Sequence, residues 1–133
     1  MLAAGDAFLI PDDSLKVSQQ HLWIVISDPT RNPKEVLLVN VTTWESWKDD
    51  TCIIEPKECE SCPFIKHTSC VDYRRAKIES SEKIEKMVAD GLIKRQSKTH
   101  PQLLMKIRKG AQVSAFLPNK CQLFLADQGL LEL

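Results

Sequence analysis

Apolar residues in the first half of the chain come in short runs separated by turn chemistry. Gly5-Asp6-Ala7-Phe8-Leu9-Ile10 has the length of a strand and is stopped by Pro11-Asp12-Asp13-Ser14, where proline sets φ and the aspartates bond their own backbone. After a polar connection, His21-Leu22-Trp23-Ile24-Val25-Ile26-Ser27 is continuous, β-branched and bounded by Asp28-Pro29, which predicts a buried strand. Asp28 to Lys34 carries two prolines and reads as a surface turn. Glu35 to Thr43 is the next strand, paired with the preceding one as a hairpin. Trp44 to Thr51 is acidic and turn-like, and Cys52-Ile53-Ile54-Glu55 is a further short strand stopped by Pro56.

The pattern changes after Ile78. Ser80-Ser81-Glu82 opens a helix on which Ile84, Met87 and Val88 recur at helical spacing before Gly91 stops it. A second helix is predicted from Pro101 to Lys109, with Gly110 as its end. A third runs from Pro118 to Asp127, closed by Gly129, with Ser114 or Asn119 as its cap. Short strands spaced by turns, with no long helix between them, predict a mainly β protein with some α. The expected fold is one domain over residues 1–133: a small antiparallel barrel at about 5–78, then a helical region at 79–133. Four glycines, none in a phosphate-binding loop, exclude the Rossmann and P-loop folds.

Charge narrows the functional classes. The 18 basic residues equal the 18 acidic ones, so any nucleic-acid role must rest on a local patch such as Lys66, Arg74, Arg75 and Lys77. No apolar run approaches the roughly 20 residues that cross a bilayer, and the N-terminus lacks signal-peptide character. A cytoplasmic protein without membrane contact is therefore expected. Its five cysteines read as thiols or metal ligands rather than a disulfide framework.

Reactive side chains concentrate between Cys59 and Tyr73, and they admit two chemistries. Cys59, Cys62, His67 and Cys70 have the spacing C-x2-C-x4-H-x2-C, and three thiolates with one imidazole can close a tetrahedral zinc site. Against this, Phe64 to Tyr73 reads as extended, and positions three apart on a strand face opposite sides, which separates His67 from Cys70 and puts His67 with Ser69. The second chemistry uses Lys66, His67, Ser69, Tyr73 and Arg74. A histidine moves protons near neutral pH, lysine or arginine stabilises a phosphorane-like charge, and Ser69 or Tyr73 orients the substrate. That equipment suits RNA cleavage in which the RNA's own 2′-hydroxyl is the nucleophile and no cofactor is needed. Arg31, at a hairpin tip, is placed to touch phosphate; Trp44 and Trp47 either stack a base or cover the core edge; His21 and His100 stand at element boundaries.

The order of elements resembles the PemK/MazF type of toxin barrel: an opening Gly5-Asp6 strand, a proline-containing loop, the strand HLWIVIS, and a strand VLLVNVTT ending in Thr42-Thr43. The resemblance covers about residues 5–78. It implies an SH3-like barrel dimer, metal-independent cleavage of single-stranded RNA, and an antitoxin protein as partner. In that family an arginine stands just before the second strand, where this chain has His21-Leu22-Trp23, so His21 or the group Lys66, His67 and Arg74 takes its part. On this reading His67 is the general acid or base, Lys66 or Arg74 stabilises the phosphorane, and Thr42 and Ser69 position the phosphate. Arg31, Thr43, Tyr73, Arg75 and His21 then bind substrate. The rival reading is a non-enzymatic barrel that binds a protein or nucleic acid, its cysteines inert or clamping a structural zinc.

Overall fold

The computed structural model describes residues 1–11, 20–59 and 65–133, the side chain of Cys59 excepted. Six strands form one antiparallel sheet, curled into a half-barrel: β1 (Ala7–Pro11), β2 (Gln20–Val25), β3 (Glu35–Thr43), β4 (Ile53–Ile54), β5 (Ser69–Ser80) and β6 (Lys94–Gln96). Their order is β4-β5-β3-β2-β1-β6. A 3₁₀ turn, Pro56–Cys59, follows β4. Three helices complete the fold: α1 (Ser81–Ala89), α2 (Pro101–Val113) and α3 (Asn119–Asp127). Among the described residues no helix is long and apolar enough to cross a membrane.

Strand alternation divides the apolar residues between two cores. Ala7, Leu9, Leu22, Ile24, Leu37, Val39, Val41, Val71 and Tyr73 turn to one face, which α2 and α3 cover with Leu103, Ile107, Ala111, Cys121 and Leu125. Phe8, Trp23, Val25, Val36 and Leu38 turn to the other, where Ile84 of α1 packs with Leu2 and Ile93. Fully burying each large apolar side chain contributes about 1.5–3 kcal/mol, so both faces add to stability.

Several local expectations meet the structure with a difference. The β2–β3 hairpin forms as read, with Leu22 opposite Val41 and Val25 opposite Leu38. Gly5 and Asp6 precede β1 instead of opening it. Gly5 turns the chain at φ 89°, and the buried Asp6 carboxylate accepts from the Ala3 amide and pairs with Arg95 of β6 at 3.0 Å. The region after residue 79 therefore supplies a strand as well as helices, because β6 zips onto β1 with Phe8 opposite Arg95.

Gly110 does not end α2. It lies within the helix, where a Cβ would meet the Tyr73 Oη at 2.1 Å, so the missing side chain lets helix and sheet approach. The helix continues to Val113, and Ser114 caps its C-terminal end rather than opening α3. Neither Ser114 nor Asn119 caps α3, whose N-cap is Pro118 with no side-chain bond. Ser80 caps α1 through the Lys83 amide, and Gly91 and Gly129 follow their helices at positive φ, as the pattern required.

β5 carries a large bulge. Leu38 pairs with Lys77 and Asn40 with Asp72, so the single residue Val39 of β3 spans the four residues Tyr73 to Ala76 of β5.

Candidate functional site

The β2–β3–β5 ladder brings together residues from three separated stretches of sequence. Leu22 pairs with Val41 in the last rung of that ladder, so His21 and Thr42 each lie one residue beyond it, and Thr42 in turn pairs with Cys70. Opposite residues of an antiparallel sheet point to the same side, so His21, Thr42 and Cys70 form one row on the α1 face. The next row on that face is Trp23, Asn40 and Asp72.

Cations surround these rows. The Lys48 ammonium, from the turn after β3, donates to the Thr42 hydroxyl at 3.3 Å and to the Thr43 carbonyl at 2.7 Å. Lys77 stands 4.2 Å above the Trp23 ring and Arg75 6.0 Å from it, while Arg95 lies over Phe8 at 5.2 Å. The bulge sends neighbouring arginines to different places, Arg75 to Trp23 and Arg74 to Phe116 beyond α2, 4.7 Å from its ring.

Two buried groups mark this side of the sheet. Asn40 is fully buried, and neither its Oδ1 nor its Nδ2 has a partner among the described residues. Buried polar groups without partners are uncommon, since each forfeits its hydration. Burial pushes the Cys70 thiol up to about 11, which favours the neutral thiol near physiological pH.

The residues singled out from the sequence fall into several groups. His21, Thr42 and Arg75 share the α1 face described above. Lys66 and His67 are exposed in the segment before β5, at the end of the sheet where β3 finishes. Ser69 alternates with Cys70 and so faces away from Thr42; it is buried, and its hydroxyl donates to the His67 carbonyl at 2.9 Å. Tyr73 is fully buried in the core under α2, where its hydroxyl donates to the Ile107 carbonyl at 2.7 Å and cannot meet a ligand. Burial also raises its pKa, leaving a neutral phenol. Thr43 is exposed at the end of β3. Arg31 sits in the β2–β3 turn beside Asp28, at the opposite end of the hairpin from Thr42. Of the alternative metal set, Cys62 and the Cys59 side chain lie outside the described residues, while His67 is exposed and Cys70 buried.

Sequence reasoning passed over Lys48, Asn40 and Asp72, and took Lys77 only as part of a basic patch. Once β2 and β3 are read as a hairpin, alternation alone sets Asn40 beside Trp23 on the Thr42 face. Lys48 had no such signal, because it reaches Thr42 only through the path of the acidic turn.

An imidazole next to a hydroxyl, with an ammonium on that hydroxyl and further cations on the same face, can hold a phosphodiester and move a proton beside it. No protein-family model matches the chain, and no curated protein matches it. Among solved structures the chain is similar in fold to an endoribonuclease in complex with its cognate antitoxin from mycobacterial species, at a TM-score of 0.53 and 16% identity. That match covers 88% of this chain and 95% of the other.

Proposed function

We propose that this chain is a toxin-type endoribonuclease that cuts single-stranded RNA and is held in check by an antitoxin protein. The observation that carries the reading is the Lys48 ammonium on the Thr42 hydroxyl, with His21 on the same face one residue beyond the Leu22–Val41 rung. The fold shared with an endoribonuclease bound to its antitoxin supports it at the level of architecture.

In the proposed reaction His21 acts as general base and takes the proton of the RNA 2′-hydroxyl. The 2′-oxygen attacks the adjacent phosphorus, the bond to the 5′-oxygen of the next nucleotide breaks, and that oxygen takes a proton from solvent. A 2′,3′-cyclic phosphate and a free 5′-hydroxyl result. Lys48 stabilises the negative charge that grows on the pentacoordinate phosphorus, and Thr42 positions the phosphate. Arg75 and Lys77 hold flanking phosphates on the same face, while Lys66 and Arg74 offer exposed charge at its margins and His67 an exposed imidazole. Ser69 and Tyr73 take no part, because their hydroxyls are committed to the protein's own backbone. Every group in this scheme is a side chain of the protein, an atom of the RNA or a solvent water, so no metal or cofactor is called for.

Incubating the purified protein with a mixed RNA in EDTA is the test. Cleavage is expected, with a fall of about 10²-fold or more in His21→Ala at an unchanged melting temperature. Intact RNA, or equal cutting by His21→Ala, overturns the reading.

A further inference from the structure

We propose that the cleft beside Thr42 is a recognition pocket for an unpaired guanine base of the RNA; this rests on the endoribonuclease reading above. The cleft has a volume of about 410 Å³ and lies between the turn after β3, the β5 bulge and the end of α2. Two aromatic rings in its lining are open to solvent, Trp47 at 77% exposure and Phe116 at 43%. A pair of exposed aromatic rings at one cleft offers flat surfaces on which a base can stack. The Trp47 ring is anchored, since its Nε1 donates to Glu45 at 2.7 Å. Each ring also has a cation beside it, Lys48 at 5.2 Å from Trp47 and Arg74 at 4.7 Å from Phe116. A guanidinium stacks on a base as readily as on a benzene ring.

The position of Lys48 links the cleft to the chemistry. The same ammonium that flanks Trp47 donates to the Thr42 hydroxyl, so a nucleotide whose phosphate rests at Thr42 has its base next to this cleft.

The carboxylates select the base. Asp49 is occupied within the protein, with one oxygen accepting from Thr51 and the other from Ser114. Asp50 and Asp72 also line the cleft; Asp50 is exposed to solvent, whereas Asp72 is half-buried and its carboxylate makes no hydrogen bond or ion pair among the described residues. An ionised carboxylate offers two oxygens side by side and no donor. Guanine is the base that presents two adjacent donors, N1–H and N2–H, on one edge. Adenine and cytosine place an acceptor next to their amino group, and uracil flanks its N3–H with carbonyls.

The test uses full-length protein and short uridine oligonucleotides with 2′-O-methyl sugars, which cannot be cut, carrying one guanine, inosine or adenine and read by fluorescence anisotropy. Guanine is expected to bind about 10-fold more tightly than adenine, and inosine, which lacks the N2 amino group, to lose most of that gain. Asp72→Asn should abolish the guanine preference, and Trp47→Ala, at an exposed position, should weaken all three oligonucleotides by about 10-fold. Guanine bound no better than adenine overturns the pocket, as does an unchanged preference in Asp72→Asn. RNA cutting without a guanine preference removes the pocket and leaves the enzyme. A guanine preference without RNA cutting upholds the pocket and removes the enzyme.

Discussion

β5 serves two unlike surfaces with alternate residues. Toward α2 and α3 it offers Val71, Tyr73 and Ala76, each buried, with the Tyr73 hydroxyl satisfied by the Ile107 carbonyl and the ring seated against Gly110. Toward the α1 side it offers Cys70, Asp72 and Lys77, beside an asparagine whose amide has no partner among the described residues. The first surface is closed, and the Tyr73 hydroxyl on it is paired. The second keeps unpaired polar atoms and loosely stacked cations, an arrangement poor for stability and suited to receiving a charged ligand. The contrast teaches that one strand can present two unlike faces, its bulge shifting the alternation between Asp72 and Lys77 without mixing them.

Substitutions can break or sharpen this contrast. The largest effect on the closed surface is expected from Gly110→Ala, whose Cβ would lie 2.1 Å from the Tyr73 Oη and 3.1 Å from the Cys52 Cβ. Overpacking of that kind costs about 3 kcal/mol. Thermal melting should show a loss of roughly 10 °C or no cooperative transition. A smaller loss, about 1 kcal/mol, is expected for Tyr73→Phe, which leaves the packing and removes one buried hydrogen bond; the denaturant midpoint should fall at unchanged slope.

The open surface should respond with the opposite sign. Asn40→Leu replaces an unpartnered buried amide by an apolar group of similar shape and should raise stability by about 1 kcal/mol. Should the midpoint fall instead, Asn40 has a partner in solution and the contrast weakens. The smallest effect concerns Glu58, which accepts from Lys106 at 2.8 Å on the surface of the α2 side. That hydrogen bond holds the Glu58 carboxyl below its ordinary range. A depressed carboxylate stabilises the fold above its unfolded pKa and ceases to as pH falls through its folded one. Melting curves recorded from about pH 5 down to pH 3 should therefore converge for wild type and Glu58→Gln, from a gap of at most about 0.5 kcal/mol at neutral pH.

The strands were legible where a run of apolar residues had its own ending. Glu35 to Thr43 keeps its predicted bounds, and the hairpin with the preceding run follows from turn chemistry alone. Lys94 to Gln96 has no apolar pattern; backbone pairing with β1 and the Asp6–Arg95 bridge make it a strand, and both are tertiary facts. Gly110 misled for a related reason, because a glycine that ends a helix and one that admits a tyrosine look alike without the tyrosine. At the site, grouping Ser69 with Thr42 assumed an extended stretch through His67. β5 begins at Ser69, and its pairing puts Cys70, not Ser69, on the Thr42 side. The adjacency of His21 and Thr42, by contrast, was already contained in the hairpin.

The bulge from Tyr73 to Ala76 has an evolutionary reach. Register on either side of it is held by separate sets of pairs, Val36 to Leu38 on one flank and Asn40 to Thr43 on the other. Residues gained or lost between those flanks would leave both sets of rungs in place while changing which side chains reach Trp23 and Phe116. Such a segment is a cassette: descendants of this chain can change the side chains it displays by editing a few codons, with the frame that carries it untouched.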